Sequence, residues 1–238
     1  MFVKACINGA RRVKDHPGVP RFPDELATAA AEVVAAGAAA IHMHPRGDDG
    51  AETLDGSAIG AAVAAVRAAV DVPVGVSTGA WFLPDPADRL RAVAGWDVLP
   101  DFASVNIHEA GALDLAEALL ARGVGVEAGL WHGDAARLLV GSGLADRCTR
   151  LLLEPLMPEL ADALAATADM ERELDGAAPT VPRLLHGFGA TSWAVLDVAV
   201  ERGYQVRIGL EDTVVGRDGT PVSGNADLVR AAVASFTR

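Results

Sequence analysis

The chain reads as a single (β/α)8 barrel, 1–238, on three observations. Eight short apolar runs recur along it, an amphipathic alanine-rich stretch follows each, and the whole amounts to 238 residues. Eight strand and helix units in this length match the usual size of the fold. A doubly wound open sheet would use the same alternation, but its GxGxxG fingerprint after the first strand is missing.

The apolar runs predict strands at Phe2–Ile7, Ala39–Met43, Pro73–Ser77, Phe102–Asn106, Val124–Ala128, Thr149–Glu154, Arg183–His186 and Gln205–Gly209. Between them, helical periodicity predicts Pro23–Ala36, Gly56–Val70, Pro86–Val93, Ala112–Arg122, Gly133–Ser142, Pro158–Leu174, Thr191–Arg202 and Asn225–Thr237. Start signals agree: Pro23-Asp24-Glu25 sets proline and two acids in a first turn, and Asp85-Pro86 sets a capping acid before a first-turn proline. Two longer loops remain, Asn8–Phe22 and Pro45–Asp55.

Hydrophobic residues make up 51% of the chain, enough for a large core. Lys and Arg number 20 against 32 Asp and Glu, and the net charge of -12 repels nucleic acid phosphates and anionic membrane surfaces. An anionic small substrate stays possible, because a local Arg or metal can reverse the field inside a cleft. Cys6 and Cys148 are too few for a disulfide framework and are expected to be reduced and buried. With no leader pattern and no apolar stretch of spanning length, the expected compartment is the cytosol.

In this fold chemistry sits at the carboxyl ends of the strands. Strand two ends in Ile41-His42-Met43-His44-Pro45-Arg46-Gly47, and strand alternation points His42 and His44 the same way, where they could share a metal or serve as ordinary strand-end histidines. Zinc needs a third protein ligand and an open position to act on a substrate. Glu211, after strand eight, is the best candidate, because strands eight and two flank strand one around a closed barrel; a solvated loop acid is the other reading.

Arg207 and Asp212 lie five apart across the same strand end. They could pair near the metal, holding Asp212 ionised as a general base, or form a purely structural salt bridge. Ser77, Thr78 and Gly79 offer hydroxyl and backbone donors for an oxyanion or carboxylate, or a plain turn. Asn106 and Glu127 face the mouth if the register holds, in reach of a polar substrate tail. His108, His132 and His186 are further candidates for metal or proton transfer, and the glycines of GFGATSW before a helix start could receive an anion.

Taken together, His42-Met43-His44-Pro45-Arg46, Ser77-Thr78-Gly79, Ser104-Val105-Asn106 and Arg207-Ile208-Gly209-Leu210-Glu211-Asp212 resemble the β-keto acid cleavage enzymes, which include the 3-keto-5-aminohexanoate cleavage enzyme. The resemblance runs from strand one to strand eight. It implies a (β/α)8 barrel, one Zn2+ per chain, and condensation of a β-keto acid with acetyl-CoA to give acetoacetate and a new acyl-CoA. His42, His44 and Glu211 would be the zinc ligands, Asp212 paired with Arg207 the base, and Ser77 with the backbone at Thr78 and Gly79 the contacts to the substrate carboxylate. A homotetramer is the implied assembly.

Family members often carry an acidic residue just after strand one, whereas Asn8-Gly9-Ala10 is followed here by Arg11 and Arg12. That suggests an acidic keto acid tail or a salt link to CoA phosphates. An amidohydrolase-like metal hydrolase is the competing expectation from HxH alone, although such sites usually open on strand one. A non-catalytic metal-binding barrel is a third, against which Arg207 and Asp212 speak.

Overall fold

The computed structural model describes residues 1–237. Its eight strands are β1 Val3–Cys6, β2 Ala40–Met43, β3 Val74–Ser77, β4 Phe102–Asn106, β5 Gly125–Leu130, β6 Arg150–Leu153, β7 Arg183–Leu185 and β8 Gln205–Ile208. The helices are α1 Pro23–Ala35, α2 Gly56–Ala69, α3 Pro86–Ala94, α4 Ala112–Ala121, α5 Gly133–Ser142, α6 Leu160–Ala177, α7 Ser192–Glu201 and α8 Asn225–Ser235. All eight strands pair parallel in sequence order, and β8 closes on β1. The fold is the expected (β/α)8 barrel.

Short β-rich runs such as Val74-Gly75-Val76 form the staves because both of their faces are covered, one by barrel interior and one by helices. The helices carry small and branched side chains on one stripe: Ile59, Ala62, Val63 and Val66 of α2 are all buried against the barrel. Asp55 and Asp85 cap α2 and α3 by accepting backbone N–H groups of the first turn. The sixth helix starts two residues later than its proline suggests, since Glu159 keeps extended backbone before Leu160. Cys6 and Cys148 are both free and buried, as expected. Among the described residues, no helix is long and apolar enough to cross a membrane.

Glu127 does not reach the mouth. It is fully buried inside the barrel, where its two carboxylate oxygens pair with Lys4 and Arg150, and Arg150 Nε donates to Gln205 Oε1 at 2.5 Å. The reason is strand tilt: Ser77, Ser104, Glu127 and Arg150 are neighbours in register, yet such a row descends along the barrel axis. Ser77 and Ser104 therefore border the mouth while Glu127 lies a layer below. Glu127→Ala should destabilise the fold by about 3–5 kcal/mol, because it strands two buried cations. Denaturant melts would show that loss; a folded variant altered only in substrate affinity would contradict it.

Candidate active site

The carboxyl ends of β8, β1 and β2 form one seam, and the candidate metal-ligating side chains meet across it. His42 and His44 project from β2 to the same side, with ring centroids 5.2 Å apart. Glu211 reaches them from the exit of β8: its Oε2 lies 3.8 Å from His42 Nε2 and its Oε1 3.6 Å from His44 Nε2. One ligand atom from each of the three falls within 4.8 Å of the others. Glu211 Oε2 is buried without a hydrogen-bond partner, as an acceptor waiting for a cation would be. Two imidazoles and a carboxylate suit a divalent ion such as zinc with one position open.

Protonation states fit the same reading. Burial holds the His42 pKa well below its ordinary value, so its ring is neutral. Burial works against the charge of Glu211, but Arg207, His44 and His42 outweigh it and hold the carboxyl below the usual carboxylate range. Metal ligands need these two states.

Two residues to which the sequence reading gave no role, Asn8 and Glu52, build the site. Asn8 clamps His44 by its backbone, its Oδ1 accepting the His44 N–H at 2.8 Å and its Nδ2 donating to the His44 carbonyl at 2.9 Å. Glu52 pairs with His44 Nδ1, which fixes the ring and turns Nε2 toward Glu211. Nothing in the sequence marks Glu52, because only the antiparallel bridge Arg46↔Glu52 folds its loop back onto the strand end. Glu52→Gln should weaken metal affinity about 10- to 100-fold, readable by competition with a chelator; unchanged affinity would remove Glu52 from the site.

Arg46 of the HxHxR motif stays out of the metal cluster. Its Nη2 donates to the carbonyls of Gly9 and Arg11, at 2.9 and 2.6 Å, and so braces the loop after β1. Gly9 adopts a φ of +56°, and a β-carbon there would strike the side chain of Glu211. Gly9→Ala should therefore displace the carboxylate ligand and lower metal occupancy at unchanged fold, measurable by metal analysis and circular dichroism together.

Arg207 is the hub on the other side of Glu211. Its Nη2 donates to Glu211 Oε1 at 2.8 Å and to Asp212 Oδ1 at 2.7 Å, and its Nε reaches Asp212 Oδ1 at 3.1 Å. The expected ion pair is present and orients Asp212. Its effect on charge differs from expectation: burial raises the Asp212 pKa despite the Arg207 charge beside it. Asp212 is fully buried, and its Oδ2 has no hydrogen-bond partner among the described residues.

A cavity of about 350 Å³ opens above this cluster. His42, His44, Glu211 and Arg207 border it together with Ser77, Ser104, Asn106 and Glu154, and Arg11, Asp15, Trp81, Trp131 and Phe188 stand around its mouth. Trp81 stacks on His44 with ring centroids 6.1 Å apart. Asn106 donates to Glu109 Oε1 at 2.9 Å. Arg11 lies over the Phe188 ring, and its Nε is buried without a partner.

Thr78 and Gly79 do not border the cavity. The Thr78 N–H and hydroxyl both donate to the Ser104 carbonyl, at 3.2 and 2.7 Å, and Trp81 covers Gly79. Of that triplet only the Ser77 side chain faces the cavity. His108 packs on Trp131, and His132 caps α5 by accepting the Ala135 N–H at 3.3 Å. His186 is buried and pairs with Glu154. In the stretch before α7, the Gly189 N–H donates to the Asp212 carbonyl and the Phe188 N–H to the Thr191 hydroxyl, so neither of these two is free for an anion.

Comparison with known proteins bears on this arrangement. Residues 1–238 match the family model for beta-keto acid cleavage enzyme. The 3-keto-5-aminohexanoate cleavage enzyme of Fusobacterium nucleatum is 25% identical over 257 residues, spanning 98% of this chain and 90% of that protein. Its namesake from Acetoanaerobium sticklandii is 24% identical over 249 residues, with 98% and 90% coverage. Among solved structures, a ternary complex of ObcA with a C4-CoA adduct and oxalate superposes at a TM-score of 0.72 and 17% identity, over 93% of this chain. This chain spans 64% of that protein, and at such identity the likeness speaks for the fold. The match along the whole chain places this protein in the beta-keto acid cleavage enzyme family.

Proposed function

We propose that the protein is a zinc-dependent enzyme that condenses a β-keto acid with acetyl-CoA, giving acetoacetate and a new acyl-CoA. The observation that carries this reading is the convergence of His42, His44 and Glu211 beside the Arg207–Asp212 pair at the mouth of the barrel. Family membership and the CoA adduct in the ObcA complex support the reaction type.

A divalent ion held by His42, His44 and Glu211 would polarise the keto acid's oxygens and ease removal of the proton between its carbonyl groups. Asp212 takes that C2 proton. Arg207 fixes the carboxylate's direction, and burial gives it a stronger pull on the proton than a free aspartate has. The hydroxyl of Ser77 and the amide of Asn106 bind the substrate's polar end from β3 and β4. The carbanion attacks the acetyl-CoA thioester and expels the CoA thiolate. That thiolate then attacks the remote ketone, the carbon–carbon bond breaks, and the departing acetoacetate carbon recovers a proton from Asp212.

Arg11 stands at the mouth with its charge unbalanced by any ion pair among the described residues, which supports an acidic tail on the keto acid or a contact to CoA phosphate. The histidine pair lies on β2 and its carboxylate follows β8, which argues against a hydrolase of the amidohydrolase type. A homotetrameric, cytosolic enzyme completes the proposal. Purified protein should hold about one zinc per chain and form acetoacetate from acetyl-CoA and some member of a broad β-keto acid panel. Failure across the panel, or acid release from esters without CoA, would sink the assignment.

A further inference from the structure

The reaction just described moves protons at two places, the C2 carbon and the CoA sulfur, while Asp212 is anchored by two hydrogen bonds to Arg207. A second proton-handling group borders the same cavity. Glu154 follows β6 and His186 follows β7, and the register pair Leu153↔Leu185 sets the two side by side. His186 Nε2 lies 2.9 Å from Glu154 Oε2, and His186 Nδ1 lies 3.1 Å from the Gly187 carbonyl. A carbonyl only accepts, so Nδ1 carries a hydrogen. The contact between Nε2 and Oε2 then needs a proton of its own, on the ring or on the carboxyl. This pair thus holds one proton that either partner can carry.

The pair sits within a dense cluster of charges. Three carboxylates, Glu154, Glu211 and Asp212, crowd one guanidinium, Arg207, which approaches Glu154 to 3.6 Å. Asp212 Oδ1 lies 3.6 Å from His186 Nδ1. Lys4 of β1 and His108 beyond β4 also act on Glu154 through space, and Lys4 is already paired with Glu127. Glu154 Oε1 has no hydrogen-bond partner among the described residues, and Gly129 leaves it room: a β-carbon there would come within 2.6 Å. His186 is 1% exposed and reaches the cavity only through Glu154.

We propose that Glu154 is a second catalytic acid and base, with His186 as its positioning residue and proton store, and that it serves the CoA sulfur. This rests on the β-keto acid reading above. As the thioester carbon–sulfur bond breaks, the electron pair goes to sulfur and the shared proton follows it from Glu154. When that sulfur attacks the second carbonyl, Glu154 takes the proton back, and the pair ends as it began. Asp212 keeps the C2 proton throughout and returns it to carbon.

Acetoacetate tests this without knowledge of the natural keto acid, since with acetyl-CoA it exchanges identical acyl groups. Two rates are read: uptake of deuterium at C2 without CoA, and passage of carbon-13 from C4 of acetoacetate into acetyl-CoA. Glu154→Gln should slow label passage about 100-fold and by at least thirtyfold more than C2 exchange, at native metal content. His186→Gln should also slow passage and displace its pH profile further than that of exchange. Equal slowing of both rates would mean that the pair merely braces Arg207 and Asp212, and it would overturn the proposal, as would unimpaired label passage. Absence of both rates in the native protein would instead bring down the parent reading, and this one with it.

Discussion

His42→Ala is expected to abolish metal retention and turnover together. The variant loses one of three ligands, and a two-ligand site at a cavity mouth does not hold a divalent ion against dialysis. His42 is 1% exposed and neutral through burial, so the substitution removes a metal donor without stranding a charge. The cavity it leaves costs about 1–3 kcal/mol of stability, which a chain of this core size tolerates. Metal analysis after dialysis, a melting curve and an acetoacetate assay check the three parts. A folded His42→Ala protein that keeps stoichiometric zinc would show that the ligand set has been misread.

Asp212→Asn should separate the base from the metal. An amide keeps the shape and can still accept one hydrogen bond from Arg207, but it cannot take a proton. Turnover should fall by about 10²–10⁴-fold with metal content unchanged. Deuterium uptake at C2 should fall in parallel, because it measures the lost step directly. Unchanged turnover of the best substrate would exclude Asp212 as the base. Since burial rather than Arg207 dominates the Asp212 pKa and raises it, the acid limb of the native rate profile should lie above the ordinary aspartate value. The base form disappears as pH falls through that raised pKa, so activity is lost on the acid side earlier than for an exposed aspartate.

Much of this site was legible in the chain because two rules acted on it together. Alternation along a strand puts His42 and His44 on one face, and closure of an eight-membered ring puts the residue after strand eight beside strand two, which selects Glu211. What these rules do not carry is depth along the barrel axis. Glu127 obeys the same alternation and faces inward, yet tilt lowers it into a buried ion cluster with Lys4 and Arg150. Nor do they reveal how a donor is already used: Thr78 looks available at a strand end until its N–H and hydroxyl are found spent on Ser104. Glu52 depends on a loop folding back, and the Glu154–His186 pair on two staves whose texts end in unrelated residues.

The seam on which the ligands meet has a consequence for how the molecule assembles. β1 is flanked by β2 on one side and by β8 on the other, so the donors that would hold an ion come from the second stave laid down and from just beyond the last. No nascent or truncated chain that lacks β8 can gather all three. An ion in this place would act as a clasp on the finished ring, stabilising only the closed form by mass action. Its removal should speed opening at that seam first, so that backbone amides of β1 and β8 exchange with solvent before those of β4 and β5.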